Sequence, residues 1–367
     1  MSGGGTESDI AAVLRDRIRA AGSVPFEEFM GEAIAAYYGR GDVFGRDGDF
    51  TTAPEISQMF GEILGLWCAV AWQLMGKPAR IALVELGPGR GTLMCDMLRA
   101  SRLLPPFRAA LSVHLVERSL PLRRLQERAL APEGVTPVWH DHVADLPADV
   151  PLLVVANEFF DALPVRQVMR TPDAWHERHV TLNDDGAFAF TLGPAVPDAE
   201  VPAAVGPCRP GSIVELCPAG RAIGGELAAR LARQGGVGLV LDYGYVRSAA
   251  GDSVQALKRH AYHPVLADVG QVDLTAHVDF QALGDAAATA GARVQGPVTQ
   301  GAFLTALGIN QRAEVLAANA APQHAEDVHK ALHRLIDPAE MGTLFKVLAL
   351  AHPALPTLPG FEGSTSA

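Results

Sequence analysis

Three polar side chains come at the end of a short apolar segment in the middle of the chain. Residues 151–157 have the length and composition of a buried strand, and Asn157, Glu158 and Asp161 end or follow it. Two carboxylates this close repel each other, and a cationic substrate relieves that repulsion. A guanidinium group suits such a pair, because it is planar and donates two parallel hydrogen bonds to a carboxylate. Glu158 and Asp161 are therefore candidate catalytic residues, or alternatively a first-turn helix residue and a cap.

His277 is the third candidate catalytic residue. It follows the fifth apolar segment, residues 236–244, after an intervening polar insertion. An imidazole in this place would orient a carboxylate or accept a proton late in a reaction. The alternative, a structural histidine, agrees equally well with the sequence.

A glycine-rich turn separates the first apolar segment from a helix with apolar periodicity. Residues 83–91 are LVELGPGRG, and Thr92 stands where a dinucleotide GxGxxG motif has its third glycine. The second apolar segment ends at Glu117, where a carboxylate can accept both hydroxyls of a ribose. This spacing favours S-adenosylmethionine, a nucleoside cofactor without phosphate, over a nicotinamide dinucleotide. The predicted contacts of this turn and carboxylate are Gly87, Pro88, Gly89, Gly91 and Glu117.

Three more side chains complete the cofactor site that these residues predict. Glu85 precedes the turn and would contact the ammonium end of the cofactor. Asp141 follows the third apolar segment and would accept a hydrogen bond from the adenine amino group. A turn-capping role is the alternative for Asp141. Asn157, at the end of the fourth apolar segment, also faces this edge of the predicted sheet.

From residue 81 onward, apolar segments alternate with helical periodicity. Such alternation is typical of a parallel sheet covered by helices on both faces, so the predicted fold is α/β and Rossmann-like. The last two apolar segments predict an antiparallel pair. The predicted organisation is an N-terminal helical region over 1–78, a core over 79–353 with insertions near 164–212, 245–276 and 301–340, and a flexible tail over 354–367.

Composition and charge narrow the classes of function. The 367 residues carry 30 Lys+Arg and 41 Asp+Glu, a formal net charge of -11, which disfavours binding to nucleic acid and favours a basic partner. The four cysteines lack metal-ligand spacing, so no metal site is predicted. No apolar segment is long enough to span a membrane, and the first residues lack a secretory signal. A cytoplasmic bacterial protein is predicted, with the mitochondrial matrix as the location only if a transit peptide has been removed.

Six blocks of sequence, taken together, are similar to the MidA-like family of class I methyltransferases. Two of them, DFTTAPEISQMFGE and ANEFFDALP, are specific to that family, whereas the glycine turn alone is not. The blocks lie at residues 49–62, 84–93, 156–164, 241–245, 268–280 and 341–348.

The resemblance implies a fold, a cofactor and a substrate class. It implies a seven-stranded methyltransferase core, bound S-adenosylmethionine, and arginine methylation in a protein substrate. The mitochondrial members of the family assemble respiratory complex I and methylate one of its core subunits. It also implies that residues 51–58 close over the cofactor, with Thr52 and Gln58 among its contacts.

Two other functions stay open at this stage. The insertions would enclose a small-molecule substrate as readily as a polypeptide, so a small-molecule methyltransferase is one alternative. The other is a non-catalytic complex I assembly factor that keeps its cofactor site. The apolar helix near 60–74 and the stretch 301–340 predict either core packing or the face of a homodimer, with core packing favoured.

Overall fold

The structure is a computed structural model that describes residues 9–40, 52–258 and 261–363. Within these residues, none of the helices combines the length and the apolar character needed to cross a membrane. The helices are α1 (Asp9–Ala21), α2 (Phe26–Gly39), α3 (Ala53–Ile56), α4 (Gln58–Leu74), α5 (Thr92–Ser101), α6 (Pro105–Ala110), α7 (Leu120–Leu130), α8 (Pro218–Gln234), α9 (Phe280–Thr289), α10 (Gln300–Ala306), α11 (Ile309–Ala318), α12 (Pro322–Ile336) and α13 (Met341–Leu344).

Within the described residues, the strands form three sheets. The strands are β1 (Val24–Pro25), β2 (Ile81–Leu86), β3 (Leu111–Val116), β4 (Val138–His140), β5 (Leu152–Asn157), β6 (Arg166–Arg170), β7 (Trp175–Leu182), β8 (Phe188–Val196), β9 (Ile213–Leu216), β10 (Gly236–Tyr245), β11 (Gln255–Lys258), β12 (Ala261–His263), β13 (Asp273–Thr275), β14 (Val278–Asp279), β15 (Arg293–Thr299) and β16 (Phe345–Ala351).

The chain divides into two compact units. The larger unit comprises Thr51–Phe160, Arg221–Val246 and Phe280–Ala367, and the smaller one comprises Met1–Phe50, Asp161–Gly220 and Arg247–Asp279. Neither unit is continuous in sequence, so their boundaries differ from the simple N-terminal, core and tail division that the sequence predicts. The fold as a whole is mixed α/β, as predicted.

A mixed sheet forms the centre of the larger unit. Its main path runs β15-β16-β10-β5-β2-β3-β4. The pairs from β10 to β4 are parallel, whereas β16 is antiparallel to both β10 and β15. Every residue of β2 and of β5 is buried, as expected for parallel strands covered on both faces. The structure thereby confirms the predicted terminal antiparallel pair.

Helix α4 holds α5, and thus the glycine turn before it, close to the core. A Cβ added at Gly65 would lie 2.7 Å from the Cα of Met97, so the two helix backbones meet where only glycine fits. Phe60, Leu64 and Trp67 on α4 are fully or almost fully buried. These residues therefore pack in the core, which is the favoured sequence-based interpretation of this apolar helix.

The end of the described chain packs against the core of the larger unit. Leu355, Leu358 and Phe361 are buried, and the Trp67 Nε1–H donates to the Pro359 carbonyl at 3.0 Å. This packing differs from the flexible tail expected for 354–367. Proline and glycine suggest irregular backbone, but apolar side chains every third residue still bury one face of that backbone against its neighbours.

The smaller unit contains two antiparallel sheets and the first two helices. Strands β1, β7, β6 and β9 pair in that order, and β8 pairs with β7. The β7–β8 hairpin turns at Asn183–Gly186, where the Gly186 N–H donates to the Asn183 carbonyl at 2.9 Å. This hairpin lies within the insertion predicted near 164–212. Strands β11, β12 and β13 form the second sheet, within the insertion predicted near 245–276.

Candidate active site

The glycine turn lies directly after β2, as the sequence predicts. The Gly87 N–H donates to the Val116 carbonyl at 3.0 Å, and the Gly91 N–H donates to the Pro88 carbonyl at 2.7 Å. Gly87, Gly89 and Gly91 have φ values of 61°, 52° and 86°, a region that side chains disfavour. The turn is therefore tight, and it leads straight into α5, whose first N–H groups have no partner within the helix.

A buried glutamine joins this turn to the carboxylate of the next strand. The Gln126 Nε2–H₂ group donates to the Gly89 carbonyl at 2.8 Å and to Glu117 Oε2 at 3.3 Å. Its Oε1 accepts from Trp139 Nε1 at 2.8 Å. Gln126 is fully buried, so these bonds fix the turn, Glu117 and β4 relative to one another. Neither Gln126 nor Trp139 is among the site residues predicted from the sequence.

Glu117 is held in place on both sides of its carboxylate. Its Oε1 accepts from the Ser119 N–H at 2.7 Å, opposite the bond from Gln126. Burial raises the pKa of Glu117, while the hydrogen bonds from Ser119 and Gln126 lower it. A fixed carboxylate at the end of β3 is where a ribose would be bound.

Asp141 lies after β4 on the surface. Its Oδ1 accepts a hydrogen bond from the Arg123 guanidinium at 2.6 Å, and its side chain is 64% exposed. The contact with adenine stays a prediction, and any such contact would be made by a carboxylate already paired with an arginine.

Two buried acceptor atoms near the turn show whether the site suits a cofactor that carries an amino acid group. Glu85 Oε2 and Asn157 Oδ1 are both buried, and neither has a hydrogen-bond partner among the residues that the structure describes. An unpaired buried acceptor costs free energy, on the order of 1–3 kcal/mol. The α-ammonium of S-adenosylmethionine would supply donors to such atoms. The residues therefore fit the cofactor, and the placement of Glu85 and Asn157 at its amino acid end stays a prediction.

Glu85 gives this fit a pH-dependent consequence. Burial raises the pKa of Glu85 to about 8, partly opposed by a hydrogen bond from the Met94 N–H. At pH 6.5 the carboxyl group is therefore mostly protonated, and an ammonium bound beside it favours the ionised form. We expect cofactor binding at about pH 6.5 to release a proton that the Glu85→Gln variant does not release.

Calorimetric titration in buffers of different ionisation enthalpy measures this release. In the folded protein without cofactor, the raised pKa also means that Glu85 costs stability as pH rises from its unfolded value toward about 8. Glu85→Gln should remove that slope from thermal melts. Equal proton release by both proteins would contradict contact between Glu85 and the ammonium.

Glu158 lies at the carboxyl end of β5 in an uncommon backbone conformation. Its φ is 50°, and its N–H donates to the Leu241 carbonyl at 2.9 Å. Its Oε1 accepts from the Ala53 N–H at 3.0 Å and from Asn157 Nδ2 at 3.2 Å. A left-handed non-glycine residue is strained by about 1–2 kcal/mol, and such strain concentrates at functional sites. The carboxylate orientation is thus set by two donors.

Two contacts hold residues 158–160, here called the Glu158 loop, in place after β5. The Asp242 carboxylate is fully buried. It accepts hydrogen bonds from the Phe160 N–H and from the N–H of the next residue, Tyr243, both at 3.0 Å. The Phe159 ring lies 2.9 Å from the position that a Cβ at Gly87 would take. The Glu158 loop and the glycine turn are therefore in contact at the same edge of the sheet. Asp242 and Phe159 were not identified from the sequence as site residues.

The segment before α4 also reaches the glycine turn, through a residue that the sequence analysis did not single out. Glu55 Oε1 accepts from Thr92 Oγ1 at 2.6 Å. Thr52 caps α3 in an extended conformation without a side-chain hydrogen bond to it, and Gln58 is exposed at the start of α4. Thr51 lies outside the described residues. The roles of Thr52 and Gln58 in cofactor binding stay predictions.

Asp161 and His277 belong to the smaller unit. Asp161 is buried, and its carbonyl accepts from the Ala276 N–H at 2.9 Å. The His277 N–H donates to Ser253 Oγ at 2.9 Å, and Ser253 in turn bonds to the buried carboxylate of Glu215. Within this unit the two candidates are thus brought near each other along the backbone. Their catalytic roles stay predictions.

A glycine turn between a parallel strand and a helix, with a carboxylate ending the next strand, defines the class of nucleoside-cofactor-binding α/β proteins. Residues 63–298 match the model of a family described as "Putative S-adenosyl-L-methionine-dependent methyltransferase". The chain belongs to this family, and its resemblance to the MidA-like methyltransferases is confirmed. It is an S-adenosylmethionine-dependent methyltransferase, and S-adenosylmethionine is its cofactor.

Similar proteins match over nearly the whole chain. "Protein arginine methyltransferase NDUFAF7 homolog, mitochondrial" of Drosophila melanogaster is 38% identical, over 93% of this chain and 84% of its own. The human "Protein arginine methyltransferase NDUFAF7, mitochondrial" is 35% identical, over 94% and 84%. A crystal structure from Burkholderia thailandensis, bound to S-adenosyl-homocysteine, has a TM-score of 0.85 and 31% identity over 97% of this chain and 95% of its own. The names of the curated relatives give no support to the predicted cytoplasmic location.

Proposed function

We propose that this chain transfers a methyl group to arginine side chains of a protein substrate. The observation that carries the proposal is the Glu158 carboxylate, which two donors hold at the same sheet edge as the glycine turn. A guanidinium group can donate paired hydrogen bonds to such a carboxylate. Two relatives at 35% and 38% identity are named protein arginine methyltransferases, which supports this acceptor.

The cofactor, when bound, supplies an electrophilic methyl group on a sulfonium. In our proposal the turn approaches it through backbone, Glu117 accepts the ribose hydroxyls, and Asp141 accepts from the adenine amino group. Glu85 and Asn157 take the ammonium end. The proposed cofactor residues are Thr52, Gln58, Glu85, Gly87, Pro88, Gly89, Gly91, Glu117, Asp141 and Asn157.

Glu158 acts on the substrate by positioning. Its carboxylate accepts N–H bonds from the guanidinium and so fixes which nitrogen faces the methyl group. Its charge would also stabilise the cationic side chain. Holding one nitrogen in place would supply much of the rate acceleration, because the reaction would no longer depend on random orientation. The nitrogen would gain the methyl group and lose a proton, and S-adenosylhomocysteine would leave. Asp161 and His277 are proposed as further catalytic residues, each to be tested by its own variant.

The proposal extends to the finer architecture and to the biological partner. The strand order and the antiparallel β16 support a class I methyltransferase core of seven strands with a Rossmann-like layout. The family resemblance supports a core subunit of respiratory complex I as the substrate. The mitochondrial names of the relatives support the mitochondrial matrix as a location. A homodimer stays a prediction.

Transfer of a labelled methyl group tests this function. Purified protein, labelled S-adenosylmethionine and complex I subunits lacking the modification should give label in protein, and mass spectrometry should place it on arginine. Heat-inactivated protein serves as the control. Label found only on lysine, or only in small molecules, would contradict the proposed acceptor while leaving the methyltransferase class intact.

A further inference from the structure

A carboxylate stands at the beginning of α5, directly beside the glycine turn. Glu55 Oε1 accepts from Thr92 Oγ1 at 2.6 Å, and Thr92 is the first residue of that ten-residue helix. The Glu55 Oε2 atom lies 4.0 Å from the Arg90 guanidinium. The Glu55 side chain is only 21% exposed. The negative charge is therefore held at one place by a residue of the helix itself.

The same place has another occupant in dinucleotide-binding proteins. There the pyrophosphate binds at the start of the helix after the glycine turn, because free N–H groups and the helix dipole attract an anion. Thr92 occupies the position of the third glycine in that motif. In this chain the Thr92 hydroxyl instead binds the Glu55 carboxylate. The protein's own negative charge thus lies at the positive end of the helix dipole.

We propose that Glu55 is a specificity-determining residue that excludes nucleotides with a 5′-phosphate and leaves the site to a phosphate-free nucleoside cofactor. A fixed carboxylate repels a phosphate within several ångströms, and the low exposure weakens solvent screening of that repulsion. Neutral adenosine is not repelled by the Glu55 carboxylate, and the positively charged sulfonium of S-adenosylmethionine is attracted to it. The inference rests on the proposed placement of the cofactor at the glycine turn and Glu117.

The test compares adenosine with adenosine 5′-monophosphate, which differ only in the phosphate. Calorimetry on the full chain should show adenosine binding more tightly than the monophosphate to the wild type. In Glu55→Gln we expect the affinity ratio to fall by about tenfold, mainly because the monophosphate gains affinity from the helix start and from Arg90. Glutamine keeps the acceptor for Thr92 Oγ1, so the segment should stay docked.

Two control variants isolate the charge at this site. Glu55→Asp retains the charge and should retain the discrimination. Glu326→Gln makes the same change in net charge at an exposed carboxylate on α12, paired with Lys330, and should leave the ratio unchanged. An equal fall of the ratio in Glu326→Gln would assign the effect to net charge and overturn the proposal.

A measurement on the wild type covers the case in which Glu55→Gln does not fold. Raising salt from about 0.01 M to about 1 M shortens the Debye length from about 30 Å to about 3 Å, so the adenosine-to-monophosphate ratio should fall. A second outcome is that the protein binds S-adenosylmethionine while neither salt nor Glu55→Gln changes the ratio of its affinities for adenosine and the monophosphate. That result would overturn the role of Glu55 and leave the proposed cofactor site in place. No binding of S-adenosylmethionine or adenosine would overturn the proposed cofactor site and this inference together.

Discussion

Glu158→Gln is expected to lower the rate of methyl transfer to arginine by about 10²–10³-fold, with little change in affinity for S-adenosylmethionine. Glutamine keeps the Oε1 atom that accepts from the Ala53 N–H and from Asn157, so the loop and the cofactor site should keep their structure. What is lost is the charge that we propose to pair with the substrate guanidinium. Single-turnover transfer of labelled methyl, with calorimetry for cofactor binding, measures the two effects separately.

A matched change on the protein surface serves as the control for Glu158→Gln. Glu127 is exposed on α7, and Glu127→Gln should transfer methyl at the wild-type rate. Unchanged transfer by Glu158→Gln would remove Glu158 from the mechanism. Loss of cofactor binding in that variant would move Glu158 from the substrate side of the site to the cofactor side.

The elements that carry this site follow from local sequence pattern. Residues 81–86 and 152–157 are apolar except for Glu85 and Asn157, and both segments form strands buried on each face. The glycine turn after β2 and the carboxylate after β3 lie where their spacing predicts. These features depend on residues close together in sequence, so pattern alone is informative about them.

The contacts between these elements could not be predicted in the same way. Gln126 lies on the face of α7 that also buries Leu122 and Leu130, and a polar residue within an apolar stripe is the one signal that marks it. Nothing in the sequence says that its partners are Gly89 and Glu117, because they come from other elements brought together by the sheet.

Glu55 and Asp242 are two further residues whose contacts could not be predicted from the sequence. Glu55 lies in the segment 51–58, where only Thr52 and Gln58 are predicted cofactor contacts, and its bond to Thr92 spans 37 residues. Asp242 comes directly after the part of β10 that pairs with β5 and would suit ligand binding, yet its carboxylate caps the Phe160 N–H and supports the Glu158 loop. A polar residue near the carboxyl end of a buried strand is predicted to have a role in the site. Whether it binds a ligand or supports a neighbouring loop depends on the residues that surround it in the fold.

Gly87→Ala is expected to weaken S-adenosylmethionine binding by about 100-fold, close to 2.7 kcal/mol, and to abolish measurable methyl transfer. The added Cβ would lie 2.9 Å from the Phe159 ring, in a backbone with φ of 61°. Both the turn and the ring must therefore shift. Because Phe159 directly follows Glu158, the same displacement should disturb the carboxylate that we propose to bind the substrate. Calorimetry and labelled transfer measure the two losses.

Gly186→Ala separates the contact from the backbone strain. Gly186 has φ of 76° at the tip of the β7–β8 hairpin, and nothing lies within 4 Å of an added Cβ there. That variant should lose about 1–2 kcal/mol of stability from the left-handed backbone and bind cofactor normally. Normal binding by Gly87→Ala as well would mean that the cofactor does not depend on the shape of this turn, and the site would then have to be sought elsewhere on the sheet.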